Sequence, residues 1–253
     1  MSLMETSLAA LASSIPGVVD VDDVVVRIAD VTHDSRLVDA ETMFVAVRGA
    51  STDGHRFVDA AVAAGAPAVM VEARSSAGVP EIVVTDTRAA MAHLARSVHG
   101  LPDTAMTMIG VTGTNGKTTV CSMVEAVARA AGRRVGVIGT LGARIDGVPV
   151  SLERTTPEST DLQRLLATMR DGGVDVVAME VSSHAMALHR ADGIAFDVTA
   201  FTNLSQDHLD FHHTMEAYFA EKRKLFEPDR TAAAVVCVDD PYGRQLADAV
   251  SVD

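Results

Sequence analysis

The residues from Gly110 to Val120, GVTGTNGKTTV, gather groups that handle phosphate. Glycines at 110, 113 and 116 allow close backbone approach, the amides that open the following helix face an anion, Lys117 can meet terminal phosphates, and Thr118 can ligate Mg2+. The spacing is unusual, since five residues separate Gly110 from Gly116 where the common phosphate loop has four. The competing reading is a glycine-rich turn with an exposed lysine.

Three further clusters of polar residues stand beside it. In AMEVSSHAMALHR, residues 178–190, Glu180 falls near the C-terminal end of an apolar run, where open α/β sheets place ligands. A carboxylate there needs a cation, and Mg2+ on a nucleotide would supply one; otherwise it is a strand-end Glu turned to solvent. In FTNLSQDHLDFHHTMEAYFAEKRKLF, residues 201–226, Asn203, Gln206, Asp207, His208, Asp210, His212 and His213 crowd together. No Cys takes part and the spacing is not that of a helical zinc site, so His212 and His213 read as solvated loop residues. Tyr218 and Lys222 share a helical face at i and i+4, although Lys222, Arg223 and Lys224 also fit a solvated basic turn at a helix C-terminus. In THDSR, 32–36, and the polar loop at 50–55, Ser35 and Arg36 offer a surface for a polar or phosphorylated ligand, or simply caps and turns.

These residues need a scaffold. Up to about residue 100, VVVRIAD, MFVAVRG, PAVMVE and EIVVTD read as short strands, with helices at HRFVDAAVAAGA and TRAAMAHLARSVHG that end at Gly65 and Gly100. LPDT, 101–104, reads as a linker. The alternation then restarts: strand MTMIGVT, the glycine-rich loop, a helix over 117–131 with Val120, Val124, Val127 and Ala131 on one face, and strand RRVGVIGT. Further strands are expected at 175–181, 196–204 and 232–240, and helices at 159–171, 214–226 and 242–250. Continuous apolar strands between helices predict an α/β fold whose sheet is mostly parallel and covered on both faces.

Bulk properties narrow the partners. The 253 residues are 48% hydrophobic and 22% charged, enough for two cored domains. A net charge of −13 argues against nucleic acid and anionic membrane, while backbone amides and one lysine can still hold a nucleotide. Cys121 and Cys237 match no metal or disulfide pattern, which fits a reducing, cytoplasmic setting. No apolar run approaches the roughly 20 residues that span a bilayer, and the N-terminus carries no basic leader before an apolar core.

The motifs DSR, MFVAVRG and DGHRFVDAAVAAGA, then GVTGTNGKTT, TTP at 155–157, MEVSSHA, FTNLSQDHLDFHHTMEAY and KLF occur in one order along nearly the whole chain. This resembles the Mur ligases of peptidoglycan synthesis, and within them the branch that adds the third residue of the stem peptide. The resemblance implies ATP-dependent amide formation: ATP phosphorylates the free carboxylate of a UDP-N-acetylmuramoyl-dipeptide, and the amine of a diamino acid, meso-diaminopimelate or L-lysine, attacks the acyl phosphate. It further implies that Gly113, Thr114, Asn115, Gly116, Lys117, Thr118 and Thr119 hold the ATP phosphates, with Lys117 near the transferred group. Thr118 and Glu180 would hold one Mg2+. His208 would ligate a second, supported by Lys222 as a carbamate. The UDP-sugar-peptide would meet Ser35, Ala50, Ser51 and Thr52 at its nucleotide end, and Thr155, Thr156, Ser182 and Arg190 nearer the reacting peptide. Arg154 and Leu188 stand where the family often has Asn and Gln.

The same resemblance implies a UDP-substrate domain over 1–103 and an incomplete phosphate-loop ATP domain over 104–253, without the family's third domain, so that this length alone is expected to be inactive. The nearest rivals are the ligase that adds the terminal dipeptide and a non-catalytic UDP-sugar or nucleotide-binding module. TTP and EVSSHA favour the third-residue branch over the former. A folylpolyglutamate synthetase lacks this kind of first domain.

Overall fold

Two compact units divide the chain, Met1–Leu101 with Ser159–Arg164, and Pro102–Glu158 with Leu165–Asp253. The computed structural model describes residues 4–49, 51–152 and 154–252.

In the first unit the order is β1 (Met4–Ser7), α1 (Leu8–Ala12), β2 (Val18–Val21), β3 (Val25–Ile28), β4 (Asp30–Thr32), β5 (Thr42–Val45), α2 (Val58–Ala63), β6 (Val69–Val71), β7 (Glu81–Val84) and α3 (Thr87–Val98). Five strands form a sheet in the order β2-β7-β6-β5-β4, parallel except for β2. Strands β5, β6 and β7 are buried along their whole length, as unbroken apolar runs require. Alternate residues feed two cores: Met43, Val45 and Met70 join Ile82 and Leu94 in one, while Phe44, Val69 and Val71 join Val58 in the other. The run VVVRIAD is not one strand. β3 pairs antiparallel with β1, and β4 pairs parallel with β5 in the larger sheet. The expected helix from 55 begins as a 3-10 turn, Gly54–Phe57, before α2. β1, α1 and β2, unforeseen in the sequence, are four or five residues each, too short for a period to register.

The second unit contains β8 (Thr107–Thr112), α4 (Lys117–Ala130), β9 (Val135–Gly139), β10 (Gly142–Ile145), β11 (Val148–Val150), α5 (Ser159–Asp171), β12 (Val176–Glu180), α6 (Ser183–Ala187), β13 (Phe196–Phe201), α7 (Leu209–His212), α8 (Met215–Arg223), β14 (Thr231–Val236) and α9 (Pro241–Ala249). α5 begins within residues grouped with the first unit. The sheet order is β11-β10-β9-β12-β8-β13-β14. Strands β9, β12, β8, β13 and β14 run parallel, and β10 and β11 add an antiparallel hairpin at one edge. Its turn is Asp146-Gly147, both at positive φ, the dipeptide that marks a tight hairpin.

Three local expectations change. LPDT is no loose linker: Pro102–Ala105 is a 3-10 turn with Pro102 and Asp103 buried, and the Asp103 carboxylate accepts from the Ala195 amide at 3.2 Å. On α4, Val120 and Val124 are half-buried, but Val127 is 71% exposed. Cys121 instead sits under cover with Val111, Val135, Val137 and Ala178, and burial pushes its thiol up to about 12, so it is a core residue and not a nucleophile. The expected helix at 214–226 is α8 closed by a 3-10 turn, Lys224–Phe226.

Candidate functional site

The C-terminal ends of the parallel strands β8, β12 and β13 bring the predicted segments together. β8 ends at Thr112 and α4 begins at Lys117, so the loop proper is Gly113 to Gly116. Gly110 is not part of it. It lies within β8, where an added Cβ would meet the Phe196 ring at 3.0 Å, so its role is packing rather than phosphate approach. Gly113 has φ +143, and a Cβ there would fall 1.9 Å from Thr202 Oγ1.

The segment after β13 clasps this loop. The Thr114 amide donates to the Asn203 carbonyl (2.9 Å) and the Asn115 amide to Asn203 Oδ1 (3.1 Å). Thr202 Oγ1 and Asn203 Nδ2 both donate to the Asn115 carbonyl, at 2.6 and 3.1 Å, and the Ser205 amide donates to Thr114 Oγ1 at 3.0 Å. Two loop amides are thus engaged within the protein. The amides of the first turn of α4, at Lys117, Thr118 and Thr119, have no intrahelical acceptor, and Gly116 offers no side-chain cap. Their partial positive charge suits an anion.

Two lysines stand beside that helix end. Lys117 Nζ donates to the carbonyls of Gly113 (2.9 Å) and Thr114 (2.8 Å), and Lys222 Nζ donates to the same Gly113 carbonyl at 2.9 Å. Lys222 is 1% exposed and its Nζ lies 4.6 Å from the Tyr218 ring centroid. The solvated basic turn is thereby excluded for Lys222. Burial, reinforced by the charge of Lys117, lowers the Lys222 ammonium to about 7; burial also holds Lys117 below the usual lysine range, against the attraction of Glu180.

Glu180, at the end of β12, is 2% exposed. Its Oε1 accepts from Thr118 Oγ1 at 2.8 Å and from the Thr140 amide at 2.9 Å, while Oε2 accepts from Thr140 Oγ1 at 3.0 Å. A hydroxyl and a carboxylate in contact are hard oxygen donors, the set that Mg2+ takes together with phosphate oxygens and water. Among the described residues no group of three or more His, Cys, Asp and Glu is disposed to hold a metal. The Thr118–Glu180 pair therefore fits a cation that arrives with a phosphate better than a cation caged by protein alone.

A cavity of about 420 Å³ opens next to Glu180, lined in part by Thr140, Thr155, Thr156, Ser182, Arg190 and His208. Five of these six were expected at the site. Thr155 Oγ1 faces the pocket 3.2 Å from Thr140 Oγ1. The Thr156 hydroxyl donates to the Glu180 carbonyl (3.0 Å) and accepts from the Ser182 amide (3.4 Å). Ser182 caps α6 by accepting from the Ala185 amide. Arg190 Nε and Nη2 hold the buried Glu158 at 3.0 and 2.8 Å. Thr156, Ser182 and Arg190 thus shape the wall through bonds within the protein.

His208 opens α7 from a left-handed backbone, φ +53, with its amide donating to Asp207 Oδ1. Its half-exposed ring meets His184 edge-on at 4.7 Å. His212 is not solvated. It is 6% exposed and its Nε2 lies 2.9 Å from Ser183 Oγ, tying α7 to α6. Burial first, and then repulsion from neighbouring positive charge, lowers both His184 and His212 from the usual imidazole range. His213 is exposed, as expected, but has φ +66 and ψ −40.

In the first unit, Ser35 opens a 3-10 turn capped by Asp34, whose carboxyl the Arg36 guanidinium holds down at about 2. Ala50 lies outside the described residues. Ser51 and Thr52 are exposed on a loop closed by the Gly49 amide donating to the Thr52 carbonyl at 2.9 Å. His55 braces that loop: its Nε2 accepts from the Glu72 amide (3.0 Å), which leaves the proton on Nδ1 to donate to Asp53 Oδ1 (2.7 Å). Ser35, Ser51 and Thr52 belong to one unit, and the glycine-rich loop to the other.

Sequence reasoning named Asn203 without giving it a role, and missed Thr202, Ser205 and Thr140. Thr202, Asn203 and Ser205 hold the loop's backbone, a role announced only by their polar density after a strand. Thr140 follows β9 in the strand-end position that had marked Glu180.

Comparison with known proteins gives matches along the same two units. A family model described as the Mur ligase middle domain matches residues 111–253, and one described as the Mur ligase family, catalytic domain, matches 27–99. A UDP-N-acetylmuramoyl-L-alanyl-D-glutamate–2,6-diaminopimelate ligase of Streptomyces coelicolor is 46% identical over 252 residues, which are 98% of this chain and 49% of that protein. A solved structure under the same enzyme name has a TM-score of 0.82 at 29% identity, covering 97% of this chain and 50% of the other. A MurF ligase from Thermotoga maritima, solved in complex with ADP, shares the fold at a TM-score of 0.60 and 24% identity, covering 87% of this chain and 48% of the other. The chain spans about half the length of the curated relatives it matches.

Proposed function

Since the chain belongs to the Mur ligase family, we propose that it carries the UDP-substrate and ATP-binding parts of the ligase that joins a diamino acid to UDP-N-acetylmuramoyl-L-alanyl-D-glutamate. The diamino acid is proposed to be meso-diaminopimelate rather than L-lysine, because relatives 44–48% identical bear the diaminopimelate name. The setting is proposed to be the cytoplasm; no described helix is long and apolar enough to cross a membrane.

The observation that carries this reading is the contact of Thr118 with Glu180 at the mouth of the loop. It joins a phosphate-facing helix end to a buried carboxylate that can share a cation. ATP passes its terminal phosphoryl group to the substrate's free carboxylate, giving an acyl phosphate and ADP, and the incoming neutral amine displaces phosphate and loses a proton to leave an amide. The chain's own contribution is positioning and charge. The first-turn amides of α4 and Lys117 offset phosphate charge; Thr118 and Glu180 would hold one Mg2+, whose chemistry would be to neutralise phosphate charge.

His208 is assigned the second Mg2+. Lys222 would support it once carbamylated, a modification that needs the neutral amine its buried place favours. Thr155, Thr156, Ser182 and Arg190 are assigned to the peptide end of the UDP substrate, and Ser35 with the loop Ala50 to Thr52 to its nucleotide end.

The test is phosphate release from ATP by the full-length parent, which should require both the UDP-muramoyl-dipeptide and diaminopimelate. Release that ignores the muramoyl substrate would defeat the ligase reading. For this chain, calorimetry should detect the UDP-muramoyl-dipeptide; folded protein without binding would refute the substrate assignments.

A further inference from the structure

Thr140 does more at this site than line a cavity. Its amide and its hydroxyl reach different oxygens of Glu180, at 2.9 and 3.0 Å, whereas Thr118 reaches the same carboxylate through its hydroxyl alone. The residue before it, Gly139, leaves the space the carboxylate needs: a Cβ there would lie 2.2 Å from Glu180 Oε1. The turn after β9 therefore both admits the Glu180 side chain and fixes its rotation.

The hydroxyl's single proton settles the direction of the next contact. An ionised carboxylate only accepts, so Thr140 donates to Glu180 Oε2, and Thr155 must be the donor across the 3.2 Å between the two threonine hydroxyls. A chain of donated protons runs from Thr155 through Thr140 to Glu180. Thr155 is left presenting lone pairs to the cavity.

We propose that Thr140 is a positioning residue that aims Glu180 at the cation shared with Thr118 and links this carboxylate to Thr155 on the substrate side. The inference rests on the phosphate-and-cation reading of the site. Partners that orient a metal-bound carboxylate act on metal affinity, and their loss costs on the order of 10-fold to 100-fold.

The experiment uses this chain with Mn2+ as the probe, free Mn2+ being read by electron paramagnetic resonance with and without ATP, and metal-free ATP affinity by calorimetry. Thr140→Val keeps size and the backbone amide but removes the hydroxyl. It should weaken ATP-dependent Mn2+ binding by about 10-fold while leaving metal-free ATP affinity within about 2-fold, and Thr140→Ser should restore Mn2+ binding to within about 3-fold. Circular dichroism checks that each variant folds, and the serine variant carries the test if the valine one does not. Parent-like Mn2+ affinity in Thr140→Val, or equal losses with and without metal, would overturn the positioning role. Absence of ATP-dependent Mn2+ binding in the unsubstituted chain would overturn the site reading and this role with it.

Discussion

Replacing Lys222 by Met should make the second unit more stable near neutral pH, and the gain should grow as pH falls. The unfolded chain holds the Lys222 proton below the ordinary value of 10.5, whereas the folded chain binds it only below about 7. Between those values the unfolded state carries the extra proton, so stability falls as pH falls through the window and levels off beneath it. At about 1.36 kcal/mol per pH unit of difference, going from about pH 9.5 to about pH 6.5 should cost the parent on the order of 3 kcal/mol relative to Lys222→Met. Against this stands a pH-independent loss of about 1 kcal/mol for the bond to the Gly113 carbonyl, so the two stability curves should cross at the alkaline end.

Urea unfolding followed by tyrosine fluorescence reads this directly. The chain has no Trp, and its two tyrosines, Tyr218 and Tyr242, both lie in the second unit. A stability difference that stays flat across the window would mean that Lys222 keeps an ordinary ammonium in its buried place. That would remove the physical basis for a neutral, carbamate-forming amine. If the difference does slope, 13C-bicarbonate added to the chain should give a carbamate resonance that Lys222→Arg abolishes.

Two further substitutions probe the backbone around the same site. Gly113→Ala places a methyl against Thr202 Oγ1 at φ +143; it should destabilise the second unit by about 3 kcal/mol or more and abolish ATP binding in calorimetry, and a parent-like urea midpoint would contradict the clasped loop. His213 bridges a turn in which the Thr214 amide donates to the His212 carbonyl at 2.8 Å, with φ +66 and ψ −40, a strained three-residue turn. His213→Gly should relieve about 1–3 kcal/mol of strain against about 0.5–1 kcal/mol of added chain freedom, so that the urea midpoint rises or holds; a clear fall would show that the side chain matters more than the strain.

The sequence shows plainly those features whose signals are local and long. β5, β6 and β7 are unbroken apolar runs, α3 and α5 are a dozen residues or more, and each was legible. The β10–β11 hairpin also carried a local signal, Asp146-Gly147, that passed unnoticed between stronger motifs. Burial of Lys222 and His212 was of another kind. Their neighbours in sequence are polar, and what covers them comes from across the fold: the Gly113 loop over one, Ser183 against the other. Periodicity within α8 could not reveal a partner more than a hundred residues away.

The odd spacing of the glycine-rich loop has the same origin. Counted from Gly110, the loop is one residue too long; counted in space, it starts at Gly113, because Gly110 is a strand residue lying against Phe196. What remains is a four-residue loop with two of its amides bound to Asn203. Such a loop cannot wrap an anion with its own backbone alone. The groups left to meet one are the first turn of α4 and two lysines that meet at one carbonyl, and the loop's shape depends on residues 202–205 from another strand end. A motif judged by spacing within one segment is here completed by a second segment, and this is why GTNGKTT gains its meaning only beside FTNLSQDH.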